Sequence, residues 1–141
     1  MSYVNSILLK AQRSVRDYLA ARSWTFSPTV TGGADSVTIK LPAIICDCVS
    51  AQTDPPGTGN WTAQMTVLLR ENADDTVLDL HLQHAGEVAD AFSESTAAAS
   101  ITSTVNKFGC YFLILRSMNY LLVDRSWESR IQVELRCGGT T

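Results

Sequence analysis

The 141-residue sequence predicts a mixed α+β domain: a four-stranded, mainly antiparallel sheet with amphipathic helices packed on one side. Three observations predict it. Apolar residues recur at helical spacing over residues 4–22 and again between residues 78 and 92. Two stretches, one from Trp61 and one from Trp127, alternate apolar and polar side chains with the period of a strand. The chain has the length of one domain, residues 1–141, and at 45% apolar it has the material for a core without cross-links.

The elements follow in order. Val4, Ile7, Leu8, Ala11, Val15, Tyr18 and Leu19 form the apolar stripe of the first helix, with Lys10, Arg13, Arg16 and Asp17 mainly opposite. Residues 23–36 collect Ser, Pro, Thr, Gly and Asp around Gly32-Gly33 and predict a loop. Residues 37–52 read as extended, with Pro42 at the strand's start or edge because it has no N–H to donate. Asp54-Pro55-Pro56-Gly57-Thr58-Gly59-Asn60 is a turn, and the strand from Trp61 to Arg70 returns from it as a hairpin.

Asn72–Asp75 suits a helix start, with Asp74 or Asp75 as the cap and acidic charge at the positive end of the helix dipole. Leu78, Leu82, Ala85, Val88, Ala89 and Phe92 mark that helix's buried face, and a second helical piece covers residues 95–107. Cys110–Leu115 is apolar on both faces and reads as a central strand, whereas residues 127–137 alternate and predict one wet face. Residues 138–141 read as a mobile tail.

Composition narrows the function. Net charge is −3, which argues against a protein whose main business is nucleic acid. Only 18% of residues are charged, a shortage that fits a surface covered by a partner. Residues 1–40 hold five basic and two acidic side chains (+3), residues 41–109 two and nine (−7), and residues 110–141 four and three (+1). A basic end and an acidic middle suit contacts between neighbouring copies, although solvation of helix faces is the plainer account of them. No signal peptide and no bilayer-length apolar run is visible, so a soluble chain made in a cytoplasm, with no membrane partner, is expected. Cys46, Cys48, Cys110 and Cys137 have neither zinc spacing nor nearby histidine partners and read as buried free thiols.

The search for chemistry leaves no catalytic, cofactor or metal residues. His81 and His84 lie three apart on a helix near Asp79, but a metal needs three or four converging ligands. Glu71 with Asp74-Asp75 lacks the spacing of a calcium loop. Neither a nucleophile elbow nor a phosphate-binding glycine pattern occurs. Trp24 follows the first helix without a periodic partner and reads as a possible interface anchor.

The layout resembles the tail terminator proteins, and related neck and tail-completion proteins, of long-tailed bacteriophages. The resemblance rests on an amphipathic first helix before the Pro-led strand Leu41-Pro42-Ala43-Ile44-Ile45. It continues with the Trp-started strand Asn60–Val67, the polar link Asn72-Ala73-Asp74-Asp75 and the last strand from Asp124-Arg125-Ser126-Trp127. It covers most of residues 4–137; residues 23–36 and the Ala/Ser/Thr-rich stretch 95–105 depart from it. It implies a non-enzymatic virion subunit without cofactor that forms a homo-oligomeric ring, commonly six-fold. Such a ring caps the tail tube protein and meets the head-completion or connector protein, with DNA at most passing through its lumen.

Interface candidates are therefore Arg13, Arg16, Trp24, the loop residues Asp54, Pro55, Pro56 and Gly57, and the link residues Asp74, Asp75, Asp124 and Arg125. The rivals are another head-completion or minor tail ring protein, a monomeric module for a small ligand or peptide, and an enzyme using His81 and His84. Because Pro55-Pro56 stiffens the loop and lowers the ordering cost of a contact, Pro55→Ala with Pro56→Ala should weaken assembly in sedimentation experiments. The melting temperature should stay within about 2 °C, as for a surface change.

Overall fold

The computed structural model describes residues 6–33, 39–53 and 59–139. Its elements are α1 (Ile7–Ala20), β1 (Thr29–Gly32), β2 (Ala43–Thr53), β3 (Asn60–Asn72), α2 (Leu78–Ser93), α3 (Ala97–Ile101), β4 (Phe108–Val123) and β5 (Ser126–Gly139). They build one five-stranded sheet in the order β1-β2-β3-β5-β4, with β1 parallel to β2 and the other pairs antiparallel. The class is α+β, but there are five strands rather than four. The extra one, β1, falls inside the expected loop 23–36: four residues carry too little alternation to be read, and pairing with β2 is what satisfies their backbone.

α1 starts where Ser6 caps it, its hydroxyl accepting from the Leu9 N–H at 3.4 Å. Its Ala11, Val15 and Leu19 are fully buried against the sheet, worth about 1.5–3 kcal/mol for each large side chain. On the sheet's helix-bearing face, Ile44, Cys46 and Cys48 of β2 join Ala63, Met65, Val67 and Leu69 of β3 and Ile131, Val133, Leu135 and Cys137 of β5. These, with residues of all three helices, make one core. The opposite face carries polar cross-strand pairs: Gln64–Glu134 at 3.0 Å, Thr66–Gln132 at 2.9 Å and Arg70–Glu128 at 2.7 Å. That is the wet face which the alternation of β3 and β5 predicts.

The four cysteines are free and lie in this core. Burial pushes the thiols of Cys46 and Cys137 up to about 12 and those of Cys48 and Cys110 up to about 11, so they stay protonated and unreactive near neutrality. Among the described residues, no helix is long and apolar enough to cross a membrane.

Four expectations are corrected. The helical piece 95–107 shrinks to α3. The Thr102 hydroxyl accepts from the Cys110 N–H at 2.9 Å, and Ser103 exchanges backbone hydrogen bonds with Phe108 at 2.8 and 2.9 Å, so hydroxyl residues divert the backbone into the start of β4. Neither Asp74 nor Asp75 caps α2, whose N-cap is Val77. The Asn72 side chain takes the Asp74 N–H at 2.8 Å and its carbonyl takes the Thr76 N–H at 2.9 Å, closing a turn before the helix begins. The expected mobile tail starts too early, since β5 runs to Gly139. Gly138 is buried there with no room for a side chain, since a Cβ would sit 2.7 Å from the Tyr111 hydroxyl and 3.2 Å from the Gly59 carbonyl. Finally, Cys110–Leu115 is not central. It belongs to β4, which is sixteen residues long and lies at the sheet's edge. Among the described residues only β5 pairs with it, so its other edge is open.

β4 and β5 join through Asp124-Arg125, with φ of 46° and 65°, the left-handed pair of a two-residue type I′ hairpin. Arginine tolerates this region at a cost that glycine does not bear. Arg125→Gly should therefore stabilise the fold by about 0.5–1 kcal/mol, read as a melting temperature higher by roughly 1–4 °C. A lowered value would contradict the turn assignment.

Candidate functional site

β3 keeps its alternation one step past the apolar run, which places Glu71 in phase with Leu69 and hence under α2. A carboxylate that is 2% exposed needs donors. It meets two: His81 Nδ1 lies 2.8 Å from Glu71 Oε1, and His84 Nδ1 lies 2.8 Å from Oε2. Where the carboxylate oxygens accept both bonds, each imidazole donates through Nδ1. His81 Nε2 then meets the Ser129 hydroxyl of β5 at 2.7 Å. Aromatic rings enclose the cluster. Phe26 stacks on His84 at 4.1 Å, Trp24 packs edge-on to Phe26 at 6.0 Å, and Trp127 lies 6.5 Å from His81. The Trp127 indole donates to the Thr76 carbonyl at 2.8 Å and ties the entry of α2 to β5.

This arrangement corrects the apolar stripe read for α2. Leu82 is 40% exposed, while His81 and His84 take the inward positions beside Ala85, Val88, Ala89 and Phe92. The helix is rotated to bring donors to Glu71. The signal for this lay in the sequence: Glu71 is in phase with the buried face of β3, and His81, His84 and Val88 share one helix face. Both Glu71 oxygens and three of the four imidazole nitrogens are hydrogen-bonded. The described residues contain no group of three or more His, Cys, Asp or Glu side chains arranged to hold a metal ion.

The interface candidates are distributed as follows. Asp54, Pro55, Pro56 and Gly57 lie outside the described residues. Arg13 is exposed on α1. Arg16 pairs with Asp17 at 2.9 Å, and Arg22 reaches Glu94 at 2.8 Å, holding that carboxyl below its usual range. Part of the basic end is thus matched to the acidic middle within one chain. Trp24 donates its indole N–H to the Leu19 carbonyl at 3.0 Å and lies under Arg22, so it closes the end of α1. Asp74, Asp75, Asp124 and Arg125 do come together: Asn72 pairs with Ser126, and the Ala73 N–H donates to the Arg125 carbonyl at 2.8 Å.

What sequence reasoning missed is the outer half of β4. Its core-facing residues, by their pairing with β5, are Leu113, Leu115, Met118, Tyr120 and Leu122. Phe112, Ile114 and Leu121 point to the other side. Tyr111, Phe112, Met118, Tyr120 and Leu122 are 60, 55, 49, 47 and 57% exposed. Beside its first half, a groove of about 440 Å³ runs between the strand and the end of α2, lined by Phe92, Ala98, Leu113 and Leu115 among others.

Removing the carboxylate strands two buried imidazoles. Glu71→Ala should cost about 3–5 kcal/mol in urea unfolding. Asp75→Ala, on the exposed turn nearby, should change stability by less than about 0.5 kcal/mol. Equal effects would show that the cluster does not hold α2.

No family pattern and no curated protein sequence matches this chain. Its fold does match solved structures. One of these is a chain of the "Virion of native gene transfer agent (GTA) particle", similar with a TM-score of 0.69 and 14% sequence identity, over 98% of this chain and 100% of that one. At that identity the likeness is one of fold.

Proposed function

We propose that this chain is a structural protein of a phage-like virion, acting by assembly and without catalysis or cofactor. Six copies close into a ring that caps the tail tube and joins it to the head or neck connector, and any DNA passes only through the lumen. The observation that carries this reading is the end-to-end likeness to a virion chain, over 98% of this chain and 100% of that one. The buried polar cluster is compatible with it, because both Glu71 oxygens and the rings of His81 and His84 are engaged in holding β3, α2 and β5 together.

A ring built from head-to-tail contacts needs two different surfaces on each copy. Arg13 on α1 offers an exposed cation, and the paired turns at Asp74-Asp75 and Asp124 offer acidic groups. Charges of this kind orient a contact more than they hold it.

Electron microscopy of the purified protein, with and without its native tail tubes, tests the reading: rings should appear at tube ends. Rings that ignore the tube but bind the connector would move the chain to a head-completion role. A chain that remains monomeric in both samples would sink the proposal. Arg13→Glu should weaken capping about fivefold, the scale of one exposed ion pair, and Asp74→Lys with Asp75→Lys should restore it. The same contact should loosen between low and high salt.

A further inference from the structure

The open edge of β4 is the longest unmet surface in the described fold. Phe108–Val123 contains no proline and one charge, Arg116, which is held by Glu134 of the same sheet at 3.1 Å. Natural edge strands are normally protected by lysine, proline or a covering segment. Here the backbone groups along the free side are flanked by large apolar side chains on both faces. Taking roughly 200 Å² for a large side chain, the five exposed ones leave about 500 Å² open per copy. Two copies sharing this surface would bury about 1,000 Å², where specific interfaces begin.

The strand's sequence is complementary to itself. The apolar run Tyr111–Leu115 and the stretch Met118–Val123, apolar but for Asn119, flank Arg116-Ser117. The pairing with β5 skips a register step between Leu115 and Ser117, so the side-chain faces change phase at Arg116. With a twofold axis between Arg116 and Ser117, antiparallel apposition sets Leu115 opposite Met118, Leu113 opposite Tyr120 and Phe112 opposite Leu121. In each pair both residues point to the same side of the sheet, as their β5 partners show. Without the bulge the faces would disagree. In this register, Tyr120 of the second copy lies beside Leu113, at the groove lined by Phe92 and Ala98.

We propose that β4 is a homotypic interface: a second copy of this chain adds its own β4 antiparallel to it and turns two five-stranded sheets into one of ten strands. Such a contact is isologous and does not itself make a ring. It joins two copies, or two rings back to back, and does not rest on the virion reading.

The test uses the full-length chain alone, by sedimentation and oxidative cross-linking. The wild type should associate, and Met118→Glu with Leu122→Glu should weaken association at least about 100-fold, because a carboxylate driven into an apolar contact stays unpaired. That variant's melting temperature should stay within about 2 °C, since both positions are half exposed. A mixture of Phe112→Cys and Leu121→Cys chains should form the mixed disulfide, since directly opposed residues lie within bridging distance. Neither variant alone should form it. Salt should not loosen this contact, unlike the charged ring contact. A wild type that stays monomeric at high concentration overturns the proposal. So does association that survives the Met118→Glu/Leu122→Glu change, in which case copies meet elsewhere and the ring reading, judged on tail tubes, still stands.

Discussion

A carboxylate sealed in an apolar layer must find donors or unfold its surroundings. Glu71 sits in that position on β3, and the rest of one end of the molecule is arranged around its answer. His81 and His84 reach it only with α2 turned so that imidazoles, rather than Leu82, face the sheet. That rotation places His81 against Ser129 and Trp127 of β5, and His84 under Phe26. Phe26 in turn supports Trp24, which closes the C-terminal end of α1 through the Leu19 carbonyl. One buried charge therefore couples two helices, two strands and the segment between α1 and β1. The same three polar residues act here as a clamp between β3 and α2, with His81 reaching on to Ser129 of β5.

Helices on one face impose the second constraint. α1, α2 and α3 cover the central strands, while the far half of β4 extends past them with its apolar side chains uncovered. The uncovered face and the free backbone edge coincide on one strand. Charge is distributed differently. The basic N-terminal segment pairs Arg16 with its own Asp17 and spends Arg22 on Glu94 of the acidic middle, so one contact between the two segments is made within the chain. Apolar surface at β4 and residual charge at Arg13 and at the Asp74–Asp75 turn are then separate resources. They differ in salt dependence and in the symmetry of the contacts they support.

Local periodicity was enough to determine the class, the order of the main elements and the wet face of β3 and β5. An alternating strand or an apolar helical stripe needs no knowledge of its partner, and residues such as Met65, Val67, Ile131 and Val133 announce their burial on their own. The sequence also carried the buried thiols. Tertiary structure alone decided what depends on a neighbour. Four residues became β1 because β2 offered them hydrogen bonds. α2 turned to satisfy Glu71, and α3 stopped where Thr102 found the Cys110 amide. β4, apolar on both faces like an inner strand, lies at the edge because no other described strand pairs with its free side. A strand's texture records what surrounds it in its working state, whereas its place in a monomer records only which segments of the same chain can reach it.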